Sequence, residues 1–306
     1  ARASLEPVVA LSESVRNERG LIRGQLLMGQ MAIQEDDLED ALRHFRRAAE
    51  AARGINDPDL LARSMLALAG WHDRFGDTLR AQQMLEGAMN LYNRWGTYRM
   101  DLDARSLMIH RAVQMWSDRG MYRRAASLCA DLEELADRSQ FAPVECRARW
   151  SRAIVSVLDG DYDTAIESME EAENIAHTTG LTALRIGLMR DRAAMELEAG
   201  HHHSAIEVSQ ELVRLATTHE DVHSAQRGQD MEATAMCLVG TNTDTSLEHL
   251  ENSLRRAQNR QVPRDIYRCH QNLALALEAL GRPDDAAEHR READRLGDDL
   301  RFAPAA

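Results

Sequence analysis

Apolar residues recur along this chain at three- and four-residue intervals over stretches of about 15 to 20 residues, each closed by a short polar or glycine-containing turn. Leu181, Leu184 and Leu188 fall on one face of such a stretch, and Ile266, Leu273 and Leu277 on one face of another. The pattern predicts a lone helix over 3–17, then pairs over 19–34 with 38–53, 58–75 with 78–95, 99–119 with 122–138 and 142–159 with 162–178. Three further pairs are predicted over 181–199 with 203–218, 222–239 with 244–259, and 263–280 with 284–297.

A small residue stands near the start of each second helix: Ala41, Ala81, Ala125, Ala165, Ala205, Ser246 and Ala286, in steps of 40, 44, 40, 40, 41 and 40. The best-kept copies read Gly76, Ala81, Leu85, Ala88 and Gly160, Ala165, Met169, Ala172. Each residue has a local reason. The glycine ends the first helix in a left-handed conformation, and Asp77 or Asp161 directly after it caps the second. The alanines let the two helices approach, while the bulky residue fills the space between them. Repetition at this period predicts stacked helix pairs, an all-α solenoid in which each unit packs on its neighbours.

The run of Gly, four residues, Ala, three residues, a bulky residue, two residues and Ala resembles the second half of a tetratricopeptide repeat, from about residue 19 to residue 298. The resemblance implies a right-handed α-solenoid of about seven helix pairs over 19–298. Residues 1–18 are then a helix left from a truncated repeat, and 299–306 a disordered tail. The units exceed the usual length, as in the tetratricopeptide-like sensor regions of bacterial signalling proteins. The first-helix signature is poorly kept: Met28-Gly29 and Leu68-Ala69 fit it, whereas Arg152 and Arg192 stand where Leu is expected. The charged run from Ala286 to Arg301 reads as a C-terminal cap. At the other end, Leu5, Val8, Val9, Leu11 and Val15 predict an apolar face with no repeat before it, and so self-association into a homodimer. A chain that starts with Ala in the middle of a repeat reads as a piece whose N-terminal effector domain is missing.

Composition narrows the chemistry. All 37 basic residues are arginine, which excludes a Walker A loop, a kinase phosphate anchor and Schiff-base catalysis, each of which requires a lysine amine. A formal charge of −13 argues against nucleic acid as a partner, and no run of 18 apolar residues predicts a membrane span. Cys129, Cys146, Cys237 and Cys269 fall one to a helix without a CxxC pair, so they read as free thiols of a cytoplasmic protein. His201, His202 and His203 share a turn and cannot all aim at one ion; His219 and His223 would share a face if helical, but they lie at a predicted helix junction without the HExxH order, so both groups read as solvated turns. Cys269 and His270 are chain neighbours on a helix and point about 100° apart, a poor nucleophile and base. The expectation is no catalysis, no metal and no cofactor.

What remains is the concave surface, lined in this family by the first helix of each pair. Its inward positions are expected to include Arg63, Arg74, His110, Gln114, Arg147, Trp150, Arg190, Arg268 and Gln271. Arginine forks match carboxylates and phosphates, and Trp150 is either a flat apolar platform or part of the core. These residues predict a non-catalytic sensor or interaction module that takes a peptide, a protein segment or a small anionic effector and regulates an attached signalling domain. Two alternatives stand beside it: a stand-alone scaffold, and a metal-dependent α-solenoid enzyme.

Overall fold

The computed structural model describes residues 2–95 and 101–301, and every described element is a helix. Helix α1 (Arg2–Ser14) stands alone. The pairs are α2 (Glu18–Gln34) with α3 (Leu38–Gly54), α4 (Pro58–Arg74) with α5 (Thr78–Trp95), α6 (Leu102–Asp118) with α7 (Tyr122–Ser139), and α8 (Ala142–Leu158) with α9 (Tyr162–Thr178). They continue as α10 (Thr182–Glu198) with α11 (His202–Thr218), α12 (Val222–Leu238) with α13 (Thr243–Arg260), and α14 (Pro263–Ala279) with α15 (Pro283–Leu300). All fifteen lie within three residues of the expected bounds, with 99–100 of the expected 99–119 helix outside the described residues. The helical array runs to Leu300, two residues past the expected end, and 302–306 of the expected tail lie outside the described residues.

The local rules hold where the sequence placed them. Gly160 sits at φ 76°, a conformation that costs an L-residue about 1–2 kcal/mol, and turns the chain out of α8. Asp161 then accepts a hydrogen bond from the Thr164 amide at 3.1 Å and caps α9. Asp37 does the same for α3 through the Asp40 amide at 3.1 Å. The small residues Ala41, Ala81, Ala125, Ala165, Ala205, Ser246 and Ala286 are all buried, none above 5 % exposed. Gly29, kept from the first-helix signature, stands where a Cβ would lie 2.4 Å from the Phe45 ring, so only hydrogen lets α2 and α3 meet there.

The described chain forms two compact units. The first comprises Ala1–Asp73, Asp77–Met108 and Glu220–His223. Its core gathers Ile22, Phe45, Leu60 and Leu68, and the Trp71 indole donates to the Leu38 carbonyl at 2.9 Å, tying α4 to α3. On α1, Val9 packs at Gly24 of α2, while Val8, Leu11 and the following Val15 are exposed.

The second unit comprises Arg74–Gly76, Ile109–His219 and Ser224–Ala306. Its core is a chain of separate clusters: Trp150, Met169 and Leu188 in one, Met189, Leu212 and Met231 in the next, and Leu250, Leu273 and Leu277 in a third. Such a sequence of neighbour-to-neighbour cores is the signature of an α-solenoid. Arg192, where the repeat favours Leu, instead bonds Glu170 at 2.6 Å, Glu173 at 3.2 Å and Glu196 at 3.4 Å, so an ion cluster replaces apolar packing between α10 and α9. All four cysteines are buried free thiols.

Burial pushes the Glu173 carboxyl from 4.5 up to about 7, against the pull of Arg192. The folded state therefore holds a proton that the unfolded chain releases, and the contribution of Glu173 is lost as pH rises from 4.5 through about 7. Denaturant unfolding of the parent chain and of Glu173→Gln across this window is expected to show the parent losing up to about 3 kcal/mol relative to the variant. Parallel stability curves would contradict this assignment.

Candidate ligand-binding trough

Arg264, in the first turn of α14, hydrogen-bonds Asp118, in the last turn of α6, although 146 residues separate them. The contact brings these two first helices together, and the first helices α6, α8, α10, α12 and α14 carry the residues of the candidate trough.

Successive inner helices are linked by a repeated contact. His110 and Trp150 each occupy the ninth place of their helix, and each reaches the tenth place of the next inner helix, 41 residues on. His110 Nδ1 lies 3.0 Å from Ser151 Oγ, and Trp150 Nε1 donates to Asp191 Oδ2 at 3.1 Å. The His110 ring lies tilted by 45° against Trp150 with centroids 4.4 Å apart, and its Nε2 is buried with no hydrogen-bond partner. Burial first, then Arg111 and Arg147, hold this imidazole well below its usual pKa, so it is a neutral group. Trp150 is 6 % exposed and belongs to the core, with only its indole N–H committed to the trough.

Arg111, Arg147 and Arg190 lie near this pair. Arg190 donates to Asp191 at 2.9 Å, Arg268 pairs with Asp265 at 3.5 Å, and Arg111 donates to Gln114 at 3.0 Å. Arg147 is buried and reaches the Pro143 carbonyl at 3.4 Å. Burial works to raise the Asp191 carboxyl, but Arg190 and Arg227 overcome it and hold it below the usual range. Burial also pushes Asp118 up to about 6 and pulls Arg264 down to about 9.

Of the nine residues expected from sequence, His110, Gln114, Arg147, Trp150, Arg190 and Arg268 lie in this group. Gln271 stands at the ninth place of α14 and donates to the Tyr267 hydroxyl at 2.7 Å. Arg74, grouped with the same unit, donates to Asp265 at 2.8 Å. Arg63 belongs to the first unit, where Asp59 at 3.1 Å and Asp101 at 2.7 Å hold it. Sequence reasoning missed Arg111, Arg227, Arg264 and the three aspartates. The signal for Arg227 was present: positions 147, 227 and 268 are each the sixth of their helix, and Gly187 fills the same place in α10.

The other candidate groups fall elsewhere. His202 and His203 open α11 rather than sitting in its preceding turn, and His201 contacts the buried Glu196 at 3.1 Å. His270 Nδ1 lies 2.8 Å from His289 Nδ1, so it is engaged with α15. The first unit holds a cleft of about 390 Å³ lined by Val9, Gln25, Met28, Asp40, His44 and Arg47, among others. Asp40 pairs with Arg43 and lies 3.4 Å from His44, whose other ring nitrogen is 2.6 Å from the Gln25 side chain.

Residues 21–94 match the family model described as tetratricopeptide repeat. The array is tetratricopeptide-like. Among solved structures, a Rap protein complexed with competence and sporulation factor is 16 % identical, with 97 % of this chain and 82 % of that chain covered and a TM-score of 0.72. Aspartyl phosphate phosphatase F from Bacillus subtilis is 11 % identical over 94 % of this chain and 73 % of that chain, with a TM-score of 0.62. NprR in complex with its cognate peptide NprX is 12 % identical over 91 % and 81 %, with a TM-score of 0.54. At these identities the tetratricopeptide-like arrays share a fold. The comparison with curated proteins gives no match. Among the described residues, no helix is long and apolar enough to cross a membrane.

Proposed function

We propose that the trough of the second unit receives a peptide or protein segment, and that the chain is a non-catalytic sensor of the bacterial cytoplasm that passes occupancy to an attached signalling domain. The observation that supports this reading is the grouping of Arg111, Arg147 and Arg190 near the Trp150–His110 ring pair, together with the Arg264–Asp118 contact that joins α14 to α6. Two proteins of the same fold were crystallised with such ligands, one with competence and sporulation factor and one with its cognate peptide. The non-catalytic part is supported by the thiols: burial pushes Cys129 and Cys269 up to about 12, too far for a thiolate nucleophile at neutral pH. A peptide selected against the chain from a random display library tests the reading by calorimetry. Arg111→Ala, on the trough wall, is expected to weaken binding about tenfold or more, and Arg290→Ala, exposed on α15, to leave it unchanged. Equal affinities for the two variants would contradict it.

The reading extends to self-association through α1, supported by the exposed Val8, Leu11 and Val15. Sedimentation equilibrium is expected to show a dimer that Val8→Asp with Leu11→Asp returns to monomer. A parent chain that stays monomeric at high concentration rules this out.

A further inference from the structure

The cleft of about 390 Å³ in the first unit is bounded by three helices of that unit, α1, α2 and α3. Its volume falls in the range of small-molecule sites. Glu6 and Glu13 line it from one stripe of α1, two helical turns apart, and neither side chain makes a hydrogen bond or ion pair with a described residue. On the α3 side Arg47 is equally without a partner among the described residues, whereas Asp40 is held by Arg43 and lies 3.4 Å from His44. Unpaired acids therefore stand on one wall and an unpaired base on the other.

Between the walls, Gln25 is 3 % exposed yet keeps donors to spare. Its Oε1 accepts from His44 Nδ1 at 2.6 Å, which fixes the amide, and its Nε2 makes no hydrogen bond with a described residue. A nearly buried donor without an acceptor is costly, and a ligand oxygen relieves it. Val9 and the buried Met28 supply apolar lining beside it.

We propose that this cleft binds a small zwitterion of amino-acid size, with its carboxylate on Arg47 and the Gln25 amide, its ammonium on the Glu6 and Glu13 wall, and its carbon skeleton against Val9 and Met28. The cleft is a second ligand site, and it does not depend on what the trough binds. A lone carboxylate would satisfy Arg47 and Gln25 but leave the acids of α1 unanswered, and a lone amine would do the reverse. A dipolar molecule answers both walls. The planar fork of arginine donates to both carboxylate oxygens at once, while the compact ammonium needs only acceptors, which the two glutamates provide.

The test is an NMR titration of the whole chain labelled with 15N in the glutamine side-chain amides and the tryptophan indoles. The Gln25 pair of signals is assigned by its loss in Gln25→Met. If that variant does not fold, the glutamine pair that shifts with ligand in the parent and stays still in Arg47→Gln serves instead. The probes are L-valine, 4-aminobutyrate, isovalerate and isobutylamine, each raised to about 20 mM because contacts with exposed charges are weak. The expected result is a saturable shift of the Gln25 pair with L-valine or 4-aminobutyrate. Isovalerate and isobutylamine, which carry one charge each, are expected to bind at least about tenfold more weakly. Arg47→Gln, and Glu6→Gln combined with Glu13→Gln, are each expected to weaken the zwitterion about tenfold or more. Arg23→Gln, exposed on α2 and outside the lining, is expected to leave it unchanged. A Gln25 pair unmoved by both zwitterions, a single-charge analogue that saturates as early as they do, or an Arg47→Gln chain that binds like the parent overturns the proposal. A zwitterion that shifts the Trp150 indole and leaves Gln25 still places the small molecule in the trough and overturns it equally.

Discussion

Everything in this array depends on two helices coming close enough, once every repeat, to share a buried seam. The small residue near the start of each second helix sets that distance, and Ala41, Ala125, Ala165 and Ala205 are completely buried. A larger side chain at any of them would have to displace a neighbour in a close-packed seam, at a typical cost of about 1–3 kcal/mol. Because each pair buries its apolar faces against its partner and the next pair, no single core organises the chain. Part of each first helix can thereby carry residues that the pair packing does not consume.

The character of that trough follows from a conflict between net charge and local charge. The chain carries −13 overall, yet its enclosed surface gathers arginines on every inner helix. Three aspartates compensate part of this charge, and each is held by a neighbouring guanidinium. Partial burial makes the arrangement consequential, since charges half withdrawn from water act on one another more strongly than fully exposed ones. A neutral imidazole and a tryptophan N–H at the centre fix the inner helices in register without adding to the charge.

The fold was legible because its determinants are local. Gly160, Asp161 and Ala165 each act within a few residues, so their spacing reveals the turn, the cap and the seam together, and helix ends come out within three residues. The grouping of the candidate residues was legible in part. His110, Trp150 and Arg190 share the ninth place of their helices, and periodicity alone finds them. Arg227 obeys the same kind of rule at the sixth place and was overlooked because Gly187 interrupts the series. The Arg264–Asp118 contact could not be read at all, since it depends on the curvature accumulated over 146 residues. Arg192 looked like a flaw in the repeat, and only three-dimensional proximity shows the three glutamates that accept it.

The central claim is that the inner helices of the second unit form the surface on which this chain recognises its ligand. Hydrogen–deuterium exchange of the whole chain, with and without a peptide selected for binding, tests it most directly. The account expects slowed exchange in α8, α10, α12 and α14, with α9, α11 and α13 unchanged. Protection confined to those outer helices, or to α1–α3, would contradict it.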